Sequence, residues 1–248
     1  EFLPISSSAH LVLIPKLSGL KDQGLAYDVV LHFGTLCAIV YYYRCSLLSM
    51  SKSFFSSLQT KRLEGDASLA WAVLLGTLPV GLAGIFFKND ISINLRSVEV
   101  IAFATIFFGL LLGFSDWLNR RMEMVRDMIR PSDVLIIGCF QVLALIPGTS
   151  RSGITISAAL LVGLSRQMSI KFSFLLAIPV ITLATMVKLF DLVNRSSEVD
   201  WLMLVLGFFI SATTAYATVV FFVRLVDRIG FLPFVVYRIL LGALLLLF

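Results

Sequence analysis

Charge is scarce in this chain. Asp, Glu, Lys and Arg make up 14% of its 248 residues, against roughly 25% in soluble domains. With a mean hydropathy of +0.96, that scarcity excludes an ordinary soluble domain. Cysteine is scarcer still. Cys37, Cys45 and Cys139 are scattered, odd in number and without CxxC spacing, which excludes a disulfide framework and a thiolate metal site. There is no GxxxxGK[ST], HExxH or GxSxG motif and no paired-carboxylate motif suited to glycosidase chemistry, so those catalytic classes fall away. The net charge of +5 sits in short loops without an aromatic-basic surface. It reads as membrane orientation and excludes a nucleic-acid partner. The chain opens on Glu1 rather than Met, so further residues are expected upstream, and no signal peptide is visible.

What the chain has in abundance is apolar sequence, 58% of it. A helix that crosses the hydrocarbon core needs about 20 mostly apolar residues, whereas stretches of about 10–14 read as re-entrant. On that criterion six segments are expected to span, at 27–43, 69–87, 98–118, 170–189, 201–223 and 231–248. Residues 134–147 and 154–164 are too short and flank a Pro-Gly break, so they are predicted to form the two arms of a helical hairpin. Residues 1–20 read as the second half of a similar hairpin. The fold class is therefore an all-α integral membrane protein, with six transmembrane helices and two re-entrant hairpins in a single domain, residues 1–248.

The two halves echo one another. Pro4 falls on Pro147 and Ser7 on Ser150 at an offset of 143, then Gly19-Leu20 on Gly163-Leu164 and Gln23 on Gln167 at an offset of 144. This defines repeat one as about 1–118 and repeat two as about 134–248. Three spans per repeat is an odd number, so the second copy is expected upside down, with broken helices meeting near the midplane. Lys and Arg in the loops set the orientation. Twelve fall on one side, including Arg44, Lys52, Arg120, Arg126, Arg130 and Arg166, and six on the other, including Lys16, Lys21, Lys88 and Arg195. The first side is expected to be cytoplasmic.

Polar groups at membrane depth must line a protein-enclosed cavity, because leaving them unsatisfied in lipid costs several kcal/mol each. Two stretches concentrate such groups. In Pro147-Gly148-Thr149-Ser150-Arg151-Ser152-Gly153, Gly148 and Gly153 permit close backbone approach. Thr149, Ser150 and Ser152 can donate through hydroxyls and through amides at a helix start, where negative charge is favoured. Arg151 can grip two phosphate oxygens at once. In Pro4-Ile5-Ser6-Ser7-Ser8-Ala9-His10, Ser7 and His10 are three apart and share a helix face. A serine beside an imidazole has the parts of an activated nucleophile, although a serine run that caps a helix explains Ser6 and Ser7 equally well. Glu1 is placed to orient His10, to hold a divalent cation, or simply to face water. Asp28 and His32, four apart, read as a satisfied intramembrane pair. Gln141 is expected to hydrogen-bond across the hairpin.

Glu1 through Leu11, and Gln141 through Gly153, resemble the two signature motifs of the bacterial undecaprenyl-diphosphatase family, known also as the bacitracin-resistance protein family. Asp28 to Ala38 and Phe172 to Pro179 are similar to that family as well. The resemblance implies a multi-pass enzyme of the bacterial cytoplasmic membrane that removes the terminal phosphate of undecaprenyl diphosphate, recycling the lipid carrier for peptidoglycan. It implies Ser7, His10, Glu1 and Arg151 as catalytic residues, with Ser6, Gly148, Thr149, Ser150, Ser152 and Gly153 around the substrate phosphates. It further implies a divalent cation, Mg2+ or Ca2+, with Glu1 as a ligand, and a polyprenyl diphosphate substrate among membrane lipids. The oligomeric state stays open, a homodimer included. Two departures stand out. The family carries Glu or Gln four residues ahead of the position of Glu1, which falls before the start of the chain, and often Thr-Gly where this sequence has Ser8-Ala9. The competing expectation is a secondary transporter or flippase for an anionic lipid or metabolite.

Overall fold

The computed structural model describes residues 1–7, 9–10, 25–87, 95, 97–193 and 201–247. Long, mostly apolar stretches form most of the helices, two of them running through an interior proline. The helices are α1 (Leu25–Tyr42), α2 (Arg44–Thr60), α3 (Ala67–Phe86), α4 (Val98–Asn119), α5 (Pro131–Val142), α6 (Arg151–Leu161), α7 (Arg166–Val193), α8 (Trp201–Ile229) and α9 (Leu232–Leu245). A 3-10 turn, Leu143–Leu145, extends α5. No strand occurs among the described residues, which carry only an isolated bridge between Arg126 and Leu164.

Among the described residues four helices are long and apolar enough to cross a membrane: Ala67–Phe86, Val98–Asn119, Arg166–Val187 and Trp201–Ile229. Their outward faces are apolar, with Phe103, Phe107, Phe209 and Ile210 exposed. Only 17% of the apolar window of α8 is buried. Contiguous apolar surface of this kind is a lipid contact. The chain is a membrane protein.

The other two expected spans are shorter. Residues 231–248 yield the 14-residue α9, about 21 Å long at 1.5 Å per residue, short of a hydrocarbon core of about 30 Å. Residues 27–43 yield an apolar helix over Val29–Tyr42 within α1. Residues 44–60, expected as loop, form α2 instead. Its serine-rich sequence has little overall apolarity, but one side packs on α3, with Met50 and Ser57 buried and the Trp71 indole donating to Ser57 Oγ at 3.1 Å.

The expected hairpin is present as α5, the 3-10 turn and α6. Pro131 starts α5, where the missing amide is harmless. Ser150 caps α6 by accepting from the Gly153 amide at 3.3 Å. The hairpin is wedged between α3, α4 and α7. Gln141 does not reach across it: Nε2 donates to the Gly76 carbonyl of α3 at 3.3 Å. That partner is near because Gly76 and Gly138 bring α3 and α5 so close that a Cβ on Gly138 would lie 2.9 Å from the Gly76 carbonyl oxygen.

The hairpin's open end is tied down by charge. The Arg126 guanidinium donates to Asp133 at 2.8 Å and to the Val162 carbonyl at 2.8 Å. Asn119 donates to the Leu160 and Leu164 carbonyls, and Asp116 accepts from both Arg120 and Arg166. Pro79 and Pro179 lie inside α3 and α7. The first-hairpin positions 11–24, Ser8, and the Asp28 side chain lie outside the described residues, as do Lys16, Lys21, Lys88 and Arg195 of the charge reading.

Candidate active site

Two turns of closely similar form meet in the interior. In the first, Ser6 sits at φ +66° immediately before a short helical stretch. In the second, Ser150 sits at φ +69° immediately before α6. A serine at positive φ is an uncommon conformation that costs energy and persists where surroundings hold it. By backbone, Ser6 rather than Ser7 occupies the place of Ser150. The second turn holds one more residue between its proline and its serine, so the sequence offset of 143 slips to 144 at this point. Ser7 then corresponds to Arg151, each the first residue of its helix.

The turns touch directly. Ser152 Oγ donates to the Leu3 carbonyl at 3.1 Å, across 149 residues of sequence. Phe2 is buried and packs edge-on against Phe174 of α7, with ring centroids 5.3 Å apart. That anchor fixes Glu1, whose Oε1 meets His32 Nδ1 of α1 at 2.9 Å. Glu1 therefore engages His32, and neither His10 nor Arg151 is its ion-pair partner among the described residues. Glu1 and Arg151 are still close enough for their charges to interact.

His10 is engaged at both ring nitrogens. Nδ1 lies 2.8 Å from the Ser6 carbonyl oxygen, and Nε2 lies 2.5 Å from the Tyr237 hydroxyl. A carbonyl can only accept, so Nδ1 carries the proton and Nε2 is the basic nitrogen. Ser7 is exposed, and no hydrogen bond joins it to His10 among the described residues.

At the second turn Gly148 has φ +97° and packs so tightly on α4 that a Cβ would collide with the Ile101 carbonyl oxygen. Thr149 and Ser152 are buried, and Thr149 Oγ1 has no hydrogen-bond partner among the described residues. Both terminal nitrogens of Arg151 are likewise buried and without a partner there. Burying a charged guanidinium without hydrogen-bond partners is costly, so these two open nitrogens suit an anionic oxygen group.

A second arginine, which the two motifs do not contain, completes the turn. Arg238 of α9 is fully buried. Its Nε donates to the Thr105 carbonyl at 3.1 Å, and its Nη2 to the Gly148 and Thr149 carbonyls at 3.0 and 2.8 Å. Its Nη1 has no partner among the described residues and lies beside Gly153, where a Cβ would come within 2.7 Å of it. The signal was there to be read: an arginine inside an apolar segment is a site residue by default. Its role as the prop of the second motif was not, because the carbonyls it holds lie about 90 residues away.

The chain is similar in sequence to known proteins over nearly its whole length. Residues 1–244 match the family described as bacitracin resistance protein BacA. The chain belongs to that family. It is 53% identical over 245 residues to the undecaprenyl-diphosphatase of Vesicomyosocius okutanii subsp. Calyptogena okutanii (strain HA), covering 99% of this chain and 93% of the relative. It is 53% identical over 248 residues to undecaprenyl-diphosphatase 2 of Stutzerimonas stutzeri (strain A1501), covering 99% and 92%. It is 47% identical to the undecaprenyl-diphosphatase of Campylobacter concisus (strain 13826) over 99% of this chain and 92% of that one. Of the residues that the resemblance to the BacA family implied, Glu1, Ser6, His10, Gly148, Thr149, Ser152 and Gly153 are all found on or beside the two touching turns, together with Ser150 and Arg151.

Proposed function

We propose that this chain is a multi-pass enzyme of the bacterial cytoplasmic membrane that hydrolyses undecaprenyl diphosphate to undecaprenyl phosphate and inorganic phosphate. The observation that carries this reading is the pair of buried arginines, Arg151 and Arg238, whose N–H groups, open among the described residues, share one glycine-flanked helix start with a threonine hydroxyl that has no partner there. Such a cluster suits a highly charged oxygen-rich headgroup. The names of the similar enzymes supply the particular diphosphate. The architecture proposed with it is six spanning segments and two re-entrant hairpins in an inverted repeat, residues 1–118 and 134–248.

In this reading the Ser7 hydroxyl attacks the terminal phosphorus, and its proton goes to His10. The bond to the bridging oxygen breaks, undecaprenyl phosphate leaves with the electron pair, and His10 returns the proton to it. Water then cleaves the phosphoserine with His10 again as base. Phosphoryl transfer depends chiefly on positioning and charge neutralisation. Arg151, with the amides and hydroxyls of Thr149, Ser150 and Ser152, supplies both, and Arg238 keeps their backbone in place.

Among the described residues no three His, Cys, Asp or Glu side chains gather as a metal cage. A magnesium ion commonly needs only one or two carboxylates plus substrate phosphates, so the Glu1 carboxylate, oriented by His32, fits as its protein ligand. When bound, Mg2+ or Ca2+ would neutralise the charge of the diphosphate.

The test is phosphate release from undecaprenyl diphosphate by the purified chain in detergent. Ser7→Ala and Arg151→Lys are each expected to lose at least about a hundredfold, the second because a point charge cannot replace a two-pronged donor. Trapped phosphate on Ser7 supports covalent catalysis, whereas full turnover by Ser7→Ala transfers the attack to water. Lipid movement in liposomes with no phosphate release would replace the phosphatase by a carrier.

A further inference from the structure

The geometry points to Tyr237 as a further catalytic residue, its hydroxyl relaying the proton between the nucleophile and His10. The inference rests on the phosphatase reading above and deepens it. The Ser6 carbonyl holds Nδ1 in its protonated form at 2.8 Å, which leaves Nε2 as the ring's basic site. That nitrogen faces the Tyr237 hydroxyl at 2.5 Å, and no hydrogen bond leads from His10 to Ser7 or to the second motif among the described residues. Among the described residues the phenol oxygen is the hydrogen-bond partner of Nε2, and so the route by which a proton reaches His10 in this proposal. Tyr237 passes its own hydroxyl proton to Nε2 and takes the nucleophile's proton in exchange. One O–H bond breaks and one forms on the phenol, so the tyrosine ends each step neutral and unchanged. The return to the leaving phosphate runs the same path backwards.

Placement supports the role. The phenol and imidazole rings are nearly parallel, at 7°. Tyr237 is 42% exposed and so open to a headgroup arriving from the membrane. Its neighbour in sequence, Arg238, holds the Gly148 and Thr149 carbonyls, so a single turn of α9 serves the histidine of one motif and the backbone of the other.

A double-mutant cycle on the full chain in detergent, with undecaprenyl diphosphate as substrate, tests the relay. General acid–base groups are typically worth about 10²–10⁴-fold. Tyr237→Phe and His10→Ala are each expected to lower kcat by about tenfold or more with KM changed by less than about twofold, and the double variant should be no slower than His10→Ala alone. Wild-type kcat in Tyr237→Phe with His10→Ala impaired, or losses that multiply in the double variant, would overturn the relay and leave the phosphatase reading standing. Full activity of His10→Ala would remove both the relay and the assignment of His10 as base. Absence of any phosphate release by the unaltered chain would remove the phosphatase reading itself. Replacing Tyr237 by 3-fluorotyrosine guards against misfolding, since it keeps the ring and changes only the acidity of the phenol. It should alter kcat and the solvent deuterium isotope effect, and no change in either would count against the relay. The histidine 15N spectrum gives a reading independent of turnover: the Nε2 resonance of His10 should move in Tyr237→Phe, and an unmoved resonance would show the contact to be idle.

Discussion

Each arginine of the site has a separate task. Among the described residues Arg151 keeps both terminal nitrogens open, while Arg238 spends two of its three on carbonyl oxygens of Thr105, Gly148 and Thr149. Substituting Arg151 should therefore cost activity with little loss of stability, and substituting Arg238 should cost both. A hydrogen bond to a charged group contributes about 1.5–3 kcal/mol. Arg238→Lys cannot reach all three carbonyls, so thermal unfolding in detergent should show at least about that loss, and phosphate release should fall with it. Equal melting temperatures for Arg238→Lys and the unaltered chain would contradict the propping role. Arg151 was legible in the sequence because it sits amid glycines and hydroxyls. Tyr237 carried no such signal, since a tyrosine in an apolar helix is ordinary until a histidine from the other end of the chain is found against it.

The hairpin is the element on which the site depends. Its tip is set by Gly148 at φ +97°, pressed onto the Ile101 carbonyl of α4, and its open end by Arg126, Asp133 and Asn119. Gly148→Ala combines a backbone conformation that L residues avoid, costing about 1–3 kcal/mol, with a direct collision. It should lower the melting temperature and abolish phosphate release. Asn119→Ala acts at the far end, removing two hydrogen bonds to the Leu160 and Leu164 carbonyls, and is expected to destabilise by about 1–3 kcal/mol while leaving the KM of the surviving enzyme nearly unchanged. A raised KM without destabilisation would show that the two ends are coupled. The short apolar arms and the Pro-Gly break announced this hairpin in advance. The α2 helix went unseen because its apolar residues make only a stripe, and a serine-rich stretch reads as loop until α3 is there to receive it.

At the scale of the whole molecule, the site exists only because the first residues of the chain, the hairpin and the last helix converge. The proposed cation requirement belongs to this scale, since Glu1 is held by His32 of α1 and would meet, in the proposed reaction, a diphosphate bound at the start of α6. Chelation should abolish phosphate release, and added Mg2+ or Ca2+ should restore it. Glu1→Gln should raise the metal concentration needed for half-maximal rate by about tenfold or more, a factor of ten corresponding to about 1.4 kcal/mol. Undiminished activity in chelator would remove the metal from the mechanism. Composition alone determined that the chain lives in a membrane, because so few charges and so much apolar length leave no soluble alternative. Local pattern determined where the chain breaks, since proline, glycine and serine act on their own backbone within a few residues. Partner choice was decided only by the tertiary structure: Glu1 with His32, Gln141 with Gly76, His10 with Tyr237, and Arg238 with the second motif. A hydrogen bond reaches about 3 Å, and which groups come within that distance depends on how helices far apart in sequence pack together.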